Sequence, residues 1–210
     1  MKDWFYQLVK CAPPAPRRDK FIARLLGIFN EDIVKCWCSA ARAPYRDLGR
    51  PRVQGPDSPK PCTLDFTLES KKDGRRFVTE MKCWVEYQGY RHLTLEHPEQ
   101  LEEMDSPAFR AFLQSAKQPS LCSVTVNGTP QNVDGAILIW GNVSATGRTA
   151  VMRATGLHTV LSLRDIVDDL VAWKDPRYYS FLDERLEWCE QLFAGLRRHQ
   201  TPIGVRRRDA

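Results

Sequence analysis

Asp65, Glu80 and Lys82 put charge where two strands would be expected to bury apolar side chains. They lie in CTLDFTLESKKDGRRFVTEMKCWVEY, residues 62–87, two apolar, β-rich runs either side of a charged turn. Carboxylates brought together in a half-buried site repel each other, and an oxygen-seeking divalent cation such as Mg²⁺ relieves that repulsion. An ammonium group beside such a metal can orient or activate a water for attack on phosphorus. The chemistry available to this trio is hydrolysis of a phosphodiester.

Whether the three meet depends on the turn. Alternation along a strand puts Asp65, Thr67 and Glu69 on one face of the first run, and Val78, Glu80, Lys82 and Trp84 on one face of the second. A four-residue loop, Lys71 to Gly74 with Gly74 left-handed, pairs Ser70 with Arg75 and sets Asp65 opposite Glu80. A two-residue Asp73-Gly74 turn sets Asp65 opposite Lys82 instead. Both keep all three charges on one face, whereas a three-residue loop splits them. Asp-Gly is a turn signal in every case, so the sequence leaves the register open. The competing reading is a charged cross-strand cluster on a solvent-facing sheet, worth up to about 1 kcal/mol. Leu64, Phe66, Leu68, Val78, Met81 and Val85 give both runs a buried character that weighs against it.

The elements that must hold this hairpin follow from periodicity. Phe21, Ile22, Leu25, Leu26 and Phe29 recur at helical spacing after Pro16. EDIVKCWCSA then reads as a short strand, with a continued helix as the alternative, and the Pro- and Gly-dense stretch at 44–61 as a long surface loop. Strands are expected at about 63–69 and 76–87. One broken helix or two short ones follow, the second opened by Ser106-Pro107. DGAILIWGN is short and apolar enough for a central buried strand, and GRTAVMRATG is a further strand candidate. Ser162 and Asp165 resemble a capping box, and a long amphipathic helix begins after Asp175-Pro176. This order implies one α/β domain over 1–210, a mixed sheet with helices on both faces.

Composition narrows the class. A chain of 210 residues, 42% hydrophobic, buries one sizeable core, and no window approaches a membrane span. Seven cysteines without a secretory leader point to a reducing, cytoplasmic setting. Cys36 and Cys38 lack the spacing of a zinc knuckle and read as core residues. The net charge of +5 suits a polyanionic partner. Among the basic clusters, Lys71, Lys72, Arg75 and Arg76 are the candidates for nucleic-acid contact. Trp84, Tyr87 and Tyr90 are candidates for stacking on bases, and His92 and His97 for touching a phosphate. Walker-type loops are absent.

Asp65, then fourteen residues, then Glu80-Met81-Lys82, resembles the PD-(D/E)xK nuclease superfamily, which shares the restriction-endonuclease-like fold. Leu64, not proline, precedes Asp65, a variation that many members share. The resemblance covers about residues 17–142 and leaves the helical segment at 160–200 without a counterpart. It implies Mg²⁺, with Mn²⁺ as a substitute, held by Asp65, Glu80 and the main-chain carbonyl of Met81, with Lys82 serving the attacking water. It also implies an assisting acid on the first helix, Asp19 or Glu31, and in some branches a glutamine, here Gln100 or, second, Gln88. The function so implied is a DNA endonuclease, with RNA as an alternative substrate and a homodimer as one assembly. The alternative is a nuclease-fold subunit that binds nucleic acid or a partner protein without cutting.

Overall fold

In the computed structural model, which describes residues 16–56, 60–83 and 94–198, the hairpin lies in the middle of a five-stranded mixed sheet. Its strands are β1 (Tyr45–Asp47), β4 (Phe66–Ser70), β5 (Arg76–Lys82), β9 (Gly135–Trp140) and β11 (Thr159–Ser162), in that order across the sheet. β4 runs antiparallel to its neighbours β1 and β5, while β9 and β11 run parallel to β5. All six residues of β9 are buried. That burial is the usual position of an apolar strand between parallel neighbours, covered on both faces.

Each face has its own core. On one, Phe66, Leu68, Phe77, Ile137 and Ile139 pack against α1 (Pro16–Ser39), α4 (Leu163–Trp173) and the start of α5 (Pro176–Arg198). On the other, Val78, Ala136, Leu138 and Trp140 meet α2 (Pro107–Lys117) and α3 (Ala145–Thr155). A second, four-stranded sheet closes over this second face. It is built from β2 (Pro51–Gln54), β3 (Cys62–Thr63), β7 (Ser123–Val126) and β8 (Thr129–Pro130), in the order β3-β2-β7-β8. Beyond β5 and β9 the parallel pairing resumes between β6 (Thr94–Leu95) and β10 (Asn142–Val143).

The helix ends are held by side chains. Ser106, Ser144 and Ser162 cap α2, α3 and α4 by accepting from the N–H of Phe109, Gly147 and Asp165. At the far end of α1, Lys71 donates to the carbonyls of Cys38 and Ala40, and Arg177 donates to that of Ser39. Two cations thus satisfy carbonyls that the helix leaves open, at the negative end of its dipole.

Three sequence expectations are corrected. EDIVKCWCSA continues α1 and forms no strand, since its apolar residues Ile33, Val34 and Trp37 keep helical spacing against the core. GRTAVMRATG is helical as well, between the Ser144 cap and a left-handed Gly156. The stretch at 44–61 is not all loop: it supplies β1 and β2, and Val53 is fully buried.

Candidate active site

The turn takes the four-residue form. Glu69 pairs with Arg76 and Phe66 with Thr79, the Ser70 N–H donates to the Arg75 carbonyl, and Gly74 has φ +73°. Extended by one pair, this register sets Asp65 against Glu80. Asp65 itself lies just outside β4, and its N–H donates to the Thr79 carbonyl at 3.2 Å. Its carboxylate takes the place of a further ladder partner: Oδ2 accepts from the Met81 N–H at 2.7 Å. In an extended strand the N–H and C=O of one residue point to the same side. The Met81 carbonyl therefore also faces the gap that β4 leaves at Asp65.

Glu80 and Lys82 project from β5 toward α2. The Lys82 ammonium donates to Glu80 Oε1 at 2.5 Å and stands 5.9 Å from the ring centre of Phe109. Glu80 is only 6% exposed. Burial pushes its carboxyl above the ordinary glutamate range, the charge of Asp65 pushes it further, and Lys82 and Arg50 pull it back. The same burial, with Asp65 again adding to it, raises the thiol of Cys83, the next residue but one after Met81. The two acids therefore feel each other.

Arg50 is not among the sequence candidates. It leads into β2, and its Nη2 lies 3.0 Å from Glu31 Oε1 on α1 and 3.6 Å from Asp65 Oδ1. Nothing in the sequence around Arg50 singles it out, because the contact depends on α1 and β2 meeting at the open end of the hairpin. Of the two first-helix acids, Glu31 is the one that Arg50 links to Asp65. Asp19 is twelve residues nearer the helix start, roughly 18 Å along its axis at 1.5 Å per residue.

The remaining candidates are placed elsewhere. The Gln100 amide is engaged with backbone, its Oε1 accepting from the N–H of Glu96 and His97 and its Nε2 donating to the Thr94 carbonyl. Lys71 is committed to the carbonyls at the end of α1. Arg75 pairs with Asp73, and Arg76 bridges Glu69 and Gln131. Arg75 lies five strand residues from Glu80, roughly 17 Å at 3.3 Å per residue. The basic cluster therefore marks the opposite end of the hairpin from the acids. Trp84, Tyr87, Gln88, Tyr90 and His92 lie outside the described residues. Cys38 is buried, and its thiol is pushed up to about 12 by burial, as suits a core cysteine.

Among the described residues no three His, Cys, Asp or Glu side chains converge as a ready-made metal cage. The donor set here is two carboxylates and one carbonyl, all oxygens. That set fits Mg²⁺, which is typically bound through one or two carboxylates and keeps several waters for itself. No helix among the described residues is long and apolar enough to cross a membrane. Comparison with protein-family models, curated proteins and solved structures returns no match to this chain.

Proposed function

We propose that the protein is a Mg²⁺-dependent endonuclease that hydrolyses phosphodiester bonds in DNA, on a restriction-endonuclease-like core. The observation that carries this reading is the convergence of Asp65, a buried Glu80 and Lys82 on one face at the open end of the hairpin. Asp65 and Glu80, with the Met81 carbonyl, would hold the metal, which when bound supplies Lewis acidity to the phosphate oxygen. Lys82, already within 2.5 Å of Glu80, would hold the attacking water and stabilise the hydroxide formed from it. Arg50 stands beside Asp65 with its guanidinium more than half exposed, where it would be open to a phosphate. The order of elements supports the same reading: an opening helix, the hairpin, α2, and a further strand parallel to β5.

Incubation with supercoiled plasmid tests it. Mg²⁺ or Mn²⁺ should yield nicked and linear product, EDTA should yield none, and Ca²⁺ should support binding without cutting. An RNA substrate run alongside decides between the two nucleic acids.

One observation favours the second reading, a nuclease-fold subunit that binds without cutting. Each acid already has a cation beside it without a metal, Lys82 on Glu80 and Arg50 near Asp65. Salt-sensitive DNA binding with no cleavage under any divalent cation would select it.

A further inference from the structure

The largest unexplained feature of the surface lies away from the hairpin, on α5. Tyr179, Leu182, Leu186, Cys189, Phe193 and Leu196 follow one another at intervals of three and four, the a/d spacing of a helix that packs along another helix. Apart from the half-buried Cys189, these side chains are between 38% (Leu182) and 61% (Leu196) exposed. The neighbouring stripe of α5 is taken by α1: Phe181 packs edge-on against Phe29, and Arg185 pairs with Asp32. A cleft of about 860 Å³, lined by Val171, Tyr179 and Asp183 among others, continues the free stripe toward α4.

We propose that this stripe is a self-association surface and that its occupant is α5 of a second copy, aligned parallel and in register. Three observations favour a second copy. The spacing calls for a helix with the same repeat, and α5 has it. A two-fold interface must be self-complementary, and in a parallel pair the residue before one seam position meets the residue five further on in the partner. Here that brings Glu190 of one copy to Arg185 of the other, whose guanidinium is already paired with Asp32 of its own chain, so the flank carries no like-charge clash. The area is also adequate. With an aromatic carrying about 150–250 Å² and about half of each side chain exposed, the stripe offers on the order of 600 Å² per copy. A standard interface takes about 800 Å² per partner. Leu192 and Trp188 of the same helix, both more than half exposed, add to it.

The test is sedimentation of the full chain across about 1–100 μM, with and without Leu186→Glu plus Leu196→Glu. Both leucines are exposed, so the variant keeps its helix content by circular dichroism. The wild type should sediment as a dimer and the variant as a monomer. Mild thiol oxidation should cross-link the wild-type dimer, and Cys189→Ser should abolish the cross-link, because in register Cys189 faces its own copy. A wild-type monomer throughout the range overturns the proposal, and so does a dimer that survives both glutamates. A dimer that does not cross-link through Cys189 overturns the parallel register. None of these outcomes depends on whether the hairpin cuts DNA.

Discussion

Glu69 and Glu80 sit on the same face of one hairpin, eleven positions apart in sequence and equally screened from solvent, at 5% and 6% exposure. Burial alone would push both carboxyls up. Glu69 is met by two guanidiniums, Arg76 and Arg46, whose hydrogen bonds outweigh that effect and hold it below the ordinary range. Glu80 meets another acid, and its single lysine does not offset burial plus Asp65. At the turn end the buried carboxylate has two committed partners. At the open end charge is left over, and the ladder stops so that a carboxylate can reach a backbone N–H. The first arrangement holds the sheet together. The second costs stability and is the place to look for chemistry.

The contrast breaks most visibly in activity. Asp65→Ala, Glu80→Ala or Lys82→Ala should each lower Mg²⁺-dependent plasmid nicking by about 10²–10⁴-fold with the fold intact. Glu69→Gln should leave the nicking rate within about twofold of wild type, the scatter of a change that touches no reacting group. If Glu69→Gln abolished nicking in a folded protein, the two ends would not be functionally distinct.

Stability should respond in the opposite sense. Glu69→Gln leaves two guanidiniums short of a carboxylate and should cost about 1–3 kcal/mol in urea unfolding. Glu80→Gln should stabilise the metal-free protein at neutral pH, raising its melting temperature by about 3 °C. The sign follows from its raised carboxyl. Between the ordinary value of 4.5 and the higher folded one, the folded chain keeps a proton that the unfolded chain has lost. Stability falls as pH rises through that interval, and the amide removes the loss. The gain should vanish below pH 4.5, where both states are protonated.

Two smaller effects sharpen the picture. Arg50→Ala removes a cation from beside Asp65 and should tighten Mn²⁺ binding about fivefold by calorimetry, equivalent to about 1 kcal/mol. Weaker Mn²⁺ binding would mean that Arg50 builds the acid site and does not compete with the metal for it. Arg75→Glu acts at the paired, distant end. It should weaken DNA binding only about threefold, uniformly across sequences, with a slightly shallower salt dependence.

The hairpin is the most legible part of the chain, because alternation and a Lys-Lys-Asp-Gly turn allow only a few registers. Gly74 can hold the left-handed position at no steric cost, and the structure selects the four-residue loop from among them. The central strand β9 is equally plain from its apolar run. The second sheet is not legible: β2 and β3 are short and lie among prolines, and β2 acquires its burial against β7, about seventy residues downstream. α3 reads as a strand because its apolar residues are few, and its helical character is carried by the caps at both ends. Within the site, the residues joined by alternation can be found. Arg50 and the choice of Glu31 depend on packing between distant elements. Lys71, Arg75 and Arg76 enter the nucleic-acid reading by charge alone, which carries no information about who already partners them.

The way β5 is paired also bears on how the chain folds. Its antiparallel neighbour is reached across a four-residue turn, a closure of the kind that takes about 1–10 μs. Its parallel neighbour β9 begins at Gly135, more than fifty residues later, with α2 and half of the second sheet between them. Asp65 and Glu80 can therefore face each other long before the sheet has a second edge to shield them, and Glu31 joins only once α1 has docked. Refolding followed by stopped-flow fluorescence should be limited by docking of β9, where Trp140 becomes fully buried. A divalent ion able to bind the hairpin early would then accelerate that step. An ion that required the finished sheet would slow only unfolding.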